Sequence, residues 1–129
     1  KENKEMVKTK TEIDENISSR KFKVIDARSK ERFEGKVPEP RSNLKSGSIK
    51  HSSCLPFGKL INKNDNTFIE KNELTLIFKE IIDTKDNNVV FSCGSGVTAS
   101  VLALAYSLIN NKYTPTIYDG SWSEYGLIK

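Results

Sequence analysis

The sequence is short of the residues that build metal sites and disulfide frameworks. It has two cysteines, Cys54 and Cys93, and one histidine, His51. Two Cys and one His fit no zinc-ligand spacing, and two thiols cannot form a multi-bridge scaffold. No metal is expected. A single disulfide stays open, but a chain with an apolar core of its own points to a reducing, cytoplasmic compartment. Long apolar runs are also missing: no stretch of eighteen apolar residues occurs, which excludes a membrane-spanning helix. Position 1 is not Met and no apolar signal-like stretch follows it, so the chain reads as a piece of a longer protein or a processed product. Arginine is scarce too, confined to Arg20, Arg28, Arg32 and Arg41. Lysine supplies the rest of the basic charge, and it is interleaved with acids (KENKEMVKTKTE, SKERFEGK) with no run of five or more basic residues. The net charge of +4 therefore describes a solvated Lys/Glu surface. A nucleic-acid partner would need a clustered basic face, and none is expected.

What is present suits one small domain. The chain has 129 residues, 36% of them hydrophobic, enough for a single modest core. Residues 1–10 are charged and patternless and read as a linker or frayed end, with the domain running over 11–129. Thr11–Ser19 predicts a short helix with Ile13 and Ile17 on one face. Phe22–Ala27 is β-rich, Ser29 caps a helical turn that Gly35 stops, and KVPEPRSNLKSGS reads as an irregular loop. Ile49–Leu55 predicts a second extended segment ended by Pro56, followed by a polar loop, INKNDNT. Leu74, Ile77, Phe78 and Ile81 mark a helix within Glu70–Ile82. Val89–Ser92 is an apolar strand of the buried parallel kind. Val97–Ile109 is apolar almost all round and predicts a helix deep in the core. Thr116–Tyr118 forms a last strand before the turn DGSW and a helical piece. Strands alternating with helices argue for an α/β fold with a mainly parallel sheet.

One string carries chemistry: VVFSCGSGVTASVLALAY. A buried strand runs into Cys93, then a glycine-containing loop, then a long helix. Gly94 and Gly96 allow backbone N–H groups to turn inward, and the helix aims its positive end at the same spot. That cradle favours a nucleophilic thiolate at Cys93. Parallel sheets also place their sites at strand C-terminal ends. A buried inert cysteine beside a tight turn is the bland alternative.

CGSGVTA, DARSKERFEGKVPEPRSNLKSGSI and YDGSWSEYG together resemble the rhodanese superfamily, and more narrowly the catalytic C-terminal domain of 3-mercaptopyruvate sulfurtransferases. The resemblance covers the chain from about Lys21 onward. It implies a rhodanese-like α/β fold with helices on both faces of the sheet. It also implies that Cys93 accepts sulfur as a persulfide, with Ser95 helping to move protons. The backbone of Gly94, Ser95, Gly96, Val97 and Thr98 would hold the anion, and Arg32 and Arg41 the substrate's carboxylate and carbonyl. Guanidinium suits that task because it grips two oxygens at once. Asp26 and Arg28 would brace the fold.

The implied donor is 3-mercaptopyruvate, the implied acceptor a thiol such as thioredoxin, or cyanide, with no cofactor. Thiosulfate-preferring members tend to have basic residues in the loop, where this chain has Gly94 and Ser95. Thiosulfate sulfurtransferase and a non-catalytic binding module are the rival readings. A related phosphatase branch needs Arg at about position 99, where Ala99 and Ser100 stand instead. The common Gly-His-Ile-Pro-Gly stretch is replaced here by Gly47-Ser48-Ile49-Lys50-His51, which displaces the histidine. Cys54 is expected to fill the core and Trp122 to pack or line the pocket rim. Members of this type normally have two rhodanese-like domains, so a missing N-terminal domain is an expected partner. A mitochondrial location is also compatible.

Overall fold

A computed structural model of the chain describes residues 7–94 and 97–128, with only the backbone at Val97. Five strands form one parallel sheet in the spatial order β1-β7-β6-β2-β3. They are β1 (Val7–Lys8), β2 (Lys23–Asp26), β3 (Ser53–Cys54), β6 (Val89–Ser92) and β7 (Ile117–Tyr118). A separate antiparallel hairpin pairs β4 (Ile61–Asn62) with β5 (Thr67–Phe68). Among the described residues there are five α-helices, α1 (Lys10–Ser19), α2 (Lys30–Phe33), α3 (Lys71–Lys79), α4 (Val97–Ile109) and α5 (Ser121–Tyr125), and a short 3-10 helix at Phe57–Leu60.

Strand alternation divides the core in two, because neighbouring residues point to opposite faces. Ile25, Val89 and Phe91 face one side, where Leu74 and Phe78 of α3 and Leu102 and Tyr106 of α4 cover them. Phe78, Phe91, Tyr106 and Tyr113 stack there at centroid separations of 4.8–6.2 Å, mostly edge to face. Val24, Val90 and Tyr118 face the other side, against Ile13 of α1 and Trp122 of α5. Each such buried large side chain contributes about 1.5–3 kcal/mol of transfer free energy. The expected α/β architecture, a parallel sheet with helices on both faces, is thus what the sheet and its two cores display.

Four expectations need correction. The linker foreseen over residues 1–10 does not extend to Val7–Lys8, which pair in parallel with Ile117–Tyr118. Thr9 then starts α1 with a capping box: its hydroxyl accepts the Glu12 N–H, and the Glu12 carboxylate accepts the Thr9 N–H at 2.9 Å. The strand foreseen over Ile49–Leu55 is only Ser53–Cys54, because Ile49–Ser52 closes a turn in which His51 takes a φ of 68°. INKNDNT is not an open loop but the β4–β5 hairpin. Finally, α4 is not buried all round: Leu104 and Leu108 are exposed, and only the face with Ala99, Leu102, Ala103 and Tyr106 is packed.

Candidate active site

β6 delivers Cys93 to the C-terminal end of the sheet, beside the end of β2. The short helix α5 fastens the loop that follows. The N–H of Trp122 donates to the Cys93 carbonyl at 2.9 Å and that of Ser123 to the Gly94 carbonyl at 2.8 Å. Ser121, wholly buried, sits between them and the strand. Its hydroxyl accepts the Cys93 N–H at 3.0 Å and donates to the Tyr118 carbonyl at 2.8 Å. Its φ is 50°, a left-handed conformation that costs a non-glycine residue roughly 1 kcal/mol or more and persists only where surroundings enforce it. The Ser121 oxygen lies 4.0 Å from Cys93 Sγ.

A chain of ions approaches the same point from the other side. Ser29 caps α2 by accepting the Arg32 N–H, which fixes the backbone of Arg32. Beyond α2, Gly35 turns the chain with a φ of 77° and leads into the loop bearing Glu39 and Arg41. Arg28 holds Asp26 with two nitrogens, at 2.8 Å for the closer pair, and reaches Glu39 at 3.1 Å. Glu39 in turn holds Arg32 at 2.7 Å. The side chains of Asp26, Arg28 and Glu39 are all at most 3% exposed, so four alternating charges stabilise one another with little help from water. The Glu39 hydrogen bond also raises the pKa of Arg32, against the opposing effect of burial. Arg28 lies over the Trp122 ring at 4.7 Å, and the Trp122 indole N–H donates to the Lys45 carbonyl at 2.8 Å. Gly126 and Leu127 pair with Lys45 and Leu44, so the C-terminal segment clasps the loop that bears Arg41.

These elements enclose a cavity of about 260 Å³, lined by Cys93, Gly94 and Thr98 with Arg32, Glu39 and Arg41 among its walls. The sequence-derived residues Cys93, Gly94, Thr98, Arg32 and Arg41 therefore come together. Gly94 is tightly constrained, since a Cβ there would stand 3.0 Å from Arg32 Nη2. Ser95 and Gly96 lie outside the described residues, as does the side chain of Val97. Cys54 is half-buried instead of core-filling; burial pushes its thiol up to about 11, with the Asp26 carboxylate adding to the shift. His51 is exposed, and its ring nitrogens lie 2.9 and 3.1 Å from Arg20 in a separate pocket. Slight desolvation, followed by Arg20 and Lys50, lowers its pKa. Among the described residues no cluster of His, Cys, Asp and Glu is arranged to hold a metal ion. Sequence reasoning missed Glu39 and Ser121. Glu39 is the acid inside the quoted PEPR string, and Ser121 lies in the quoted DGSW turn.

Comparison with known proteins agrees with this geometry. The family described as "Rhodanese-like domain" matches residues 9–127. The chain belongs to that family. This rhodanese-like domain is 38% identical over 120 residues to "Thiosulfate/3-mercaptopyruvate sulfurtransferase 1, mitochondrial" of Arabidopsis thaliana, covering 93% of this chain and 31% of the relative. It is 39% identical over 121 residues to the "3-mercaptopyruvate sulfurtransferase" of Mus musculus, covering 92% of this chain and 39% of the relative. Among solved structures, the crystal structure of Tum1 protein from Saccharomyces cerevisiae superposes with a TM-score of 0.80 at 31% identity, over 94% of this chain and 43% of that one. The rhodanese-like domain thus spans about a third to two-fifths of the length of these curated relatives. Its relatives are sulfurtransferases by name, with thiosulfate and 3-mercaptopyruvate both represented.

Proposed function

We propose that this rhodanese-like domain is a sulfurtransferase whose Cys93 takes sulfur from 3-mercaptopyruvate. One observation carries the reading: a cysteine at a strand's C-terminal end shares a cavity with two arginines. In the proposed step Arg32 and Arg41 grip the donor's carboxylate and carbonyl. The Cys93 thiolate attacks the donor's sulfur, and the carbon–sulfur bond breaks with its electron pair passing to the pyruvate enolate. The enolate takes a proton, Ser95 being the proposed helper, and leaves as pyruvate. Cys93 remains as a persulfide. The loop backbone from Gly94 to Thr98 steadies the developing negative charge. A thiol such as thioredoxin, or cyanide, then takes the outer sulfur and returns Cys93 to the thiolate. No cofactor enters the scheme.

The coverage of 31–39% of the relatives supports a second proposal, that this is the catalytic C-terminal half of a two-domain protein. Two thiols with no bridge between them fit a reducing compartment, and one relative is named mitochondrial. Thiosulfate is the second reading for the donor, favoured by the relatives that bear that name. In that version sulfite is the leaving group.

Mass spectrometry after incubation with each donor tests these readings. A gain of one sulfur, about 32 Da, from 3-mercaptopyruvate, absent in Cys93→Ser, is the expected result. Gain from thiosulfate alone assigns the other donor. No gain from either, even after the second domain of a relative is added, makes the chain a binding module.

A further inference from the structure

The charge of the cavity is set by a residue that forms no bond to the reacting sulfur. The Glu39 side chain is wholly buried. One of its oxygens accepts from Arg32 Nη2 at 2.7 Å; the other accepts from Arg28 Nη1 at 3.1 Å and from Arg32 Nε at 3.3 Å. Arg28 is already matched by Asp26 at 2.8 Å. Arg32 therefore enters the cavity with its orientation fixed and its charge largely answered. Arg41 is exposed and makes no ion pair among the described residues. Counting the ionised side chains Arg32, Arg41 and Glu39 alone, the wall carries one positive charge, not two.

We infer that Glu39 is a further specificity-determining residue of this site: by holding Arg32 and cancelling one of two positive charges, it favours sulfur donors with a single negative charge over dianions. The inference rests on the sulfurtransferase reading above. The energy of an anion in the field of a fixed charge scales with the anion's own charge. Removing the Glu39 charge should therefore strengthen a dianion by about the square of the factor gained by a monoanion. At separations of several ångströms in a half-open cavity that factor is about five to ten. A merely structural role would weaken both kinds of donor alike.

The test uses the full chain as wild type, Glu39→Gln and Glu39→Asp. For each, kcat/KM is measured with 3-mercaptopyruvate, a monoanion, and with thiosulfate, a dianion, at fixed low ionic strength. In Glu39→Gln the thiosulfate-to-mercaptopyruvate ratio should rise about five- to tenfold, chiefly through KM. Glu39→Asp keeps the charge and should leave the ratio near wild type. An unchanged ratio in a folded Glu39→Gln protein overturns the assignment. If that variant does not fold, Arg41→Gln makes the opposite change at an exposed position, and thiosulfate must then lose more than mercaptopyruvate; equal losses overturn it. Should the wild type load sulfur from neither donor, the transferase reading fails separately. Dissociation constants of pyruvate and sulfate, from NMR titration of wild type and Glu39→Gln, then decide on Glu39 alone. An unchanged sulfate-to-pyruvate affinity ratio refutes it.

Discussion

The two ends of the parallel sheet open into cavities of opposite character. Past the C-terminal ends of β2 and β6 lies the cavity of about 260 Å³ that holds Cys93, Arg32, Arg41 and Glu39. At the starts of β2, β6 and β7 lies a larger one, about 620 Å³, walled by Lys8, Glu12, Asn16, Asn88, Lys112 and Thr116 among others. Volume favours the second, yet its charges stay in water: the Lys8–Glu12 pair is 28% and 44% exposed and 3.7 Å apart. The first draws on carboxylates and a guanidinium at most 3% exposed. A solvated charge is screened and free to turn, while a desolvated and paired one acts strongly in one direction. That contrast is why the proposed chemistry belongs to the small cavity.

The strongest way to break the contrast is to move the activity. Cys93→Ser should reduce sulfur uptake by on the order of a thousandfold or more, because it removes the proposed nucleophile. Lys112→Ala, in the larger cavity, should leave uptake unchanged. Comparable losses from both would erase the distinction between the ends.

Stability offers the next test. Arg28→Ala leaves Asp26 and Glu39 as buried carboxylates deprived of a shared partner, and should destabilise by about 3–5 kcal/mol. For a domain of this size that lowers the Tm by roughly 10–20 °C, readable by calorimetry. Lys8→Ala breaks the solvated pair with Glu12 and the contact of its ammonium with the Phe22 ring at 5.2 Å, and should cost no more than about 2 kcal/mol. Similar losses at the two ends would mean that burial of the ion chain is not what distinguishes them. Arg41→Ala comes third: KM for the donor should rise about ten- to hundredfold, the worth of a lost charged hydrogen-bond grip, with Tm unchanged.

The cavity around Cys93 was more legible in the sequence than the fold's margins were. An unbroken apolar strand before Cys93 and a long apolar helix after it are local patterns, and local patterns survive folding. Arg32 and Arg41 could be carried over because they sit in a recognisable string. β1 could not be read from composition: two residues, Val7 and Lys8, become a strand only because the β7 backbone lies beside them. A local sign did exist, since Thr9 and Glu12 have capping-box spacing. Glu39 and Ser121 were hidden for a different reason. A glutamate between two prolines looks solvated until Arg28 and Arg32 converge on it from elsewhere. A serine in a turn reveals nothing of its φ until strand β6 stops against it.

The smallest expected effect separates two thiols at the same end of the sheet. Cys54 ends β3, the neighbour of β2, with Sγ 3.5 Å from the Arg28 carbonyl and the Asp26 carboxylate close enough to disfavour its thiolate. Burial is the larger cause, and together they push the thiol up to about 11, against about 8.5 for an unfolded cysteine. Because folding favours the protonated form, the stabilisation is complete below about pH 8.5 and is lost as pH rises toward 11. Tyr125, raised to about 12 by burial and by its bond to Asp14, leaves the lower part of that window to Cys54. Cys54→Ala should therefore flatten the early alkaline decline in Tm between about pH 8.5 and 10. In Cys93→Ser, iodoacetamide should label Cys54 slowly at pH 8, with the rate climbing about tenfold per pH unit as the thiolate fraction grows. Fast labelling at pH 8 would show that this side of the ion chain is wetter than the side facing Cys93.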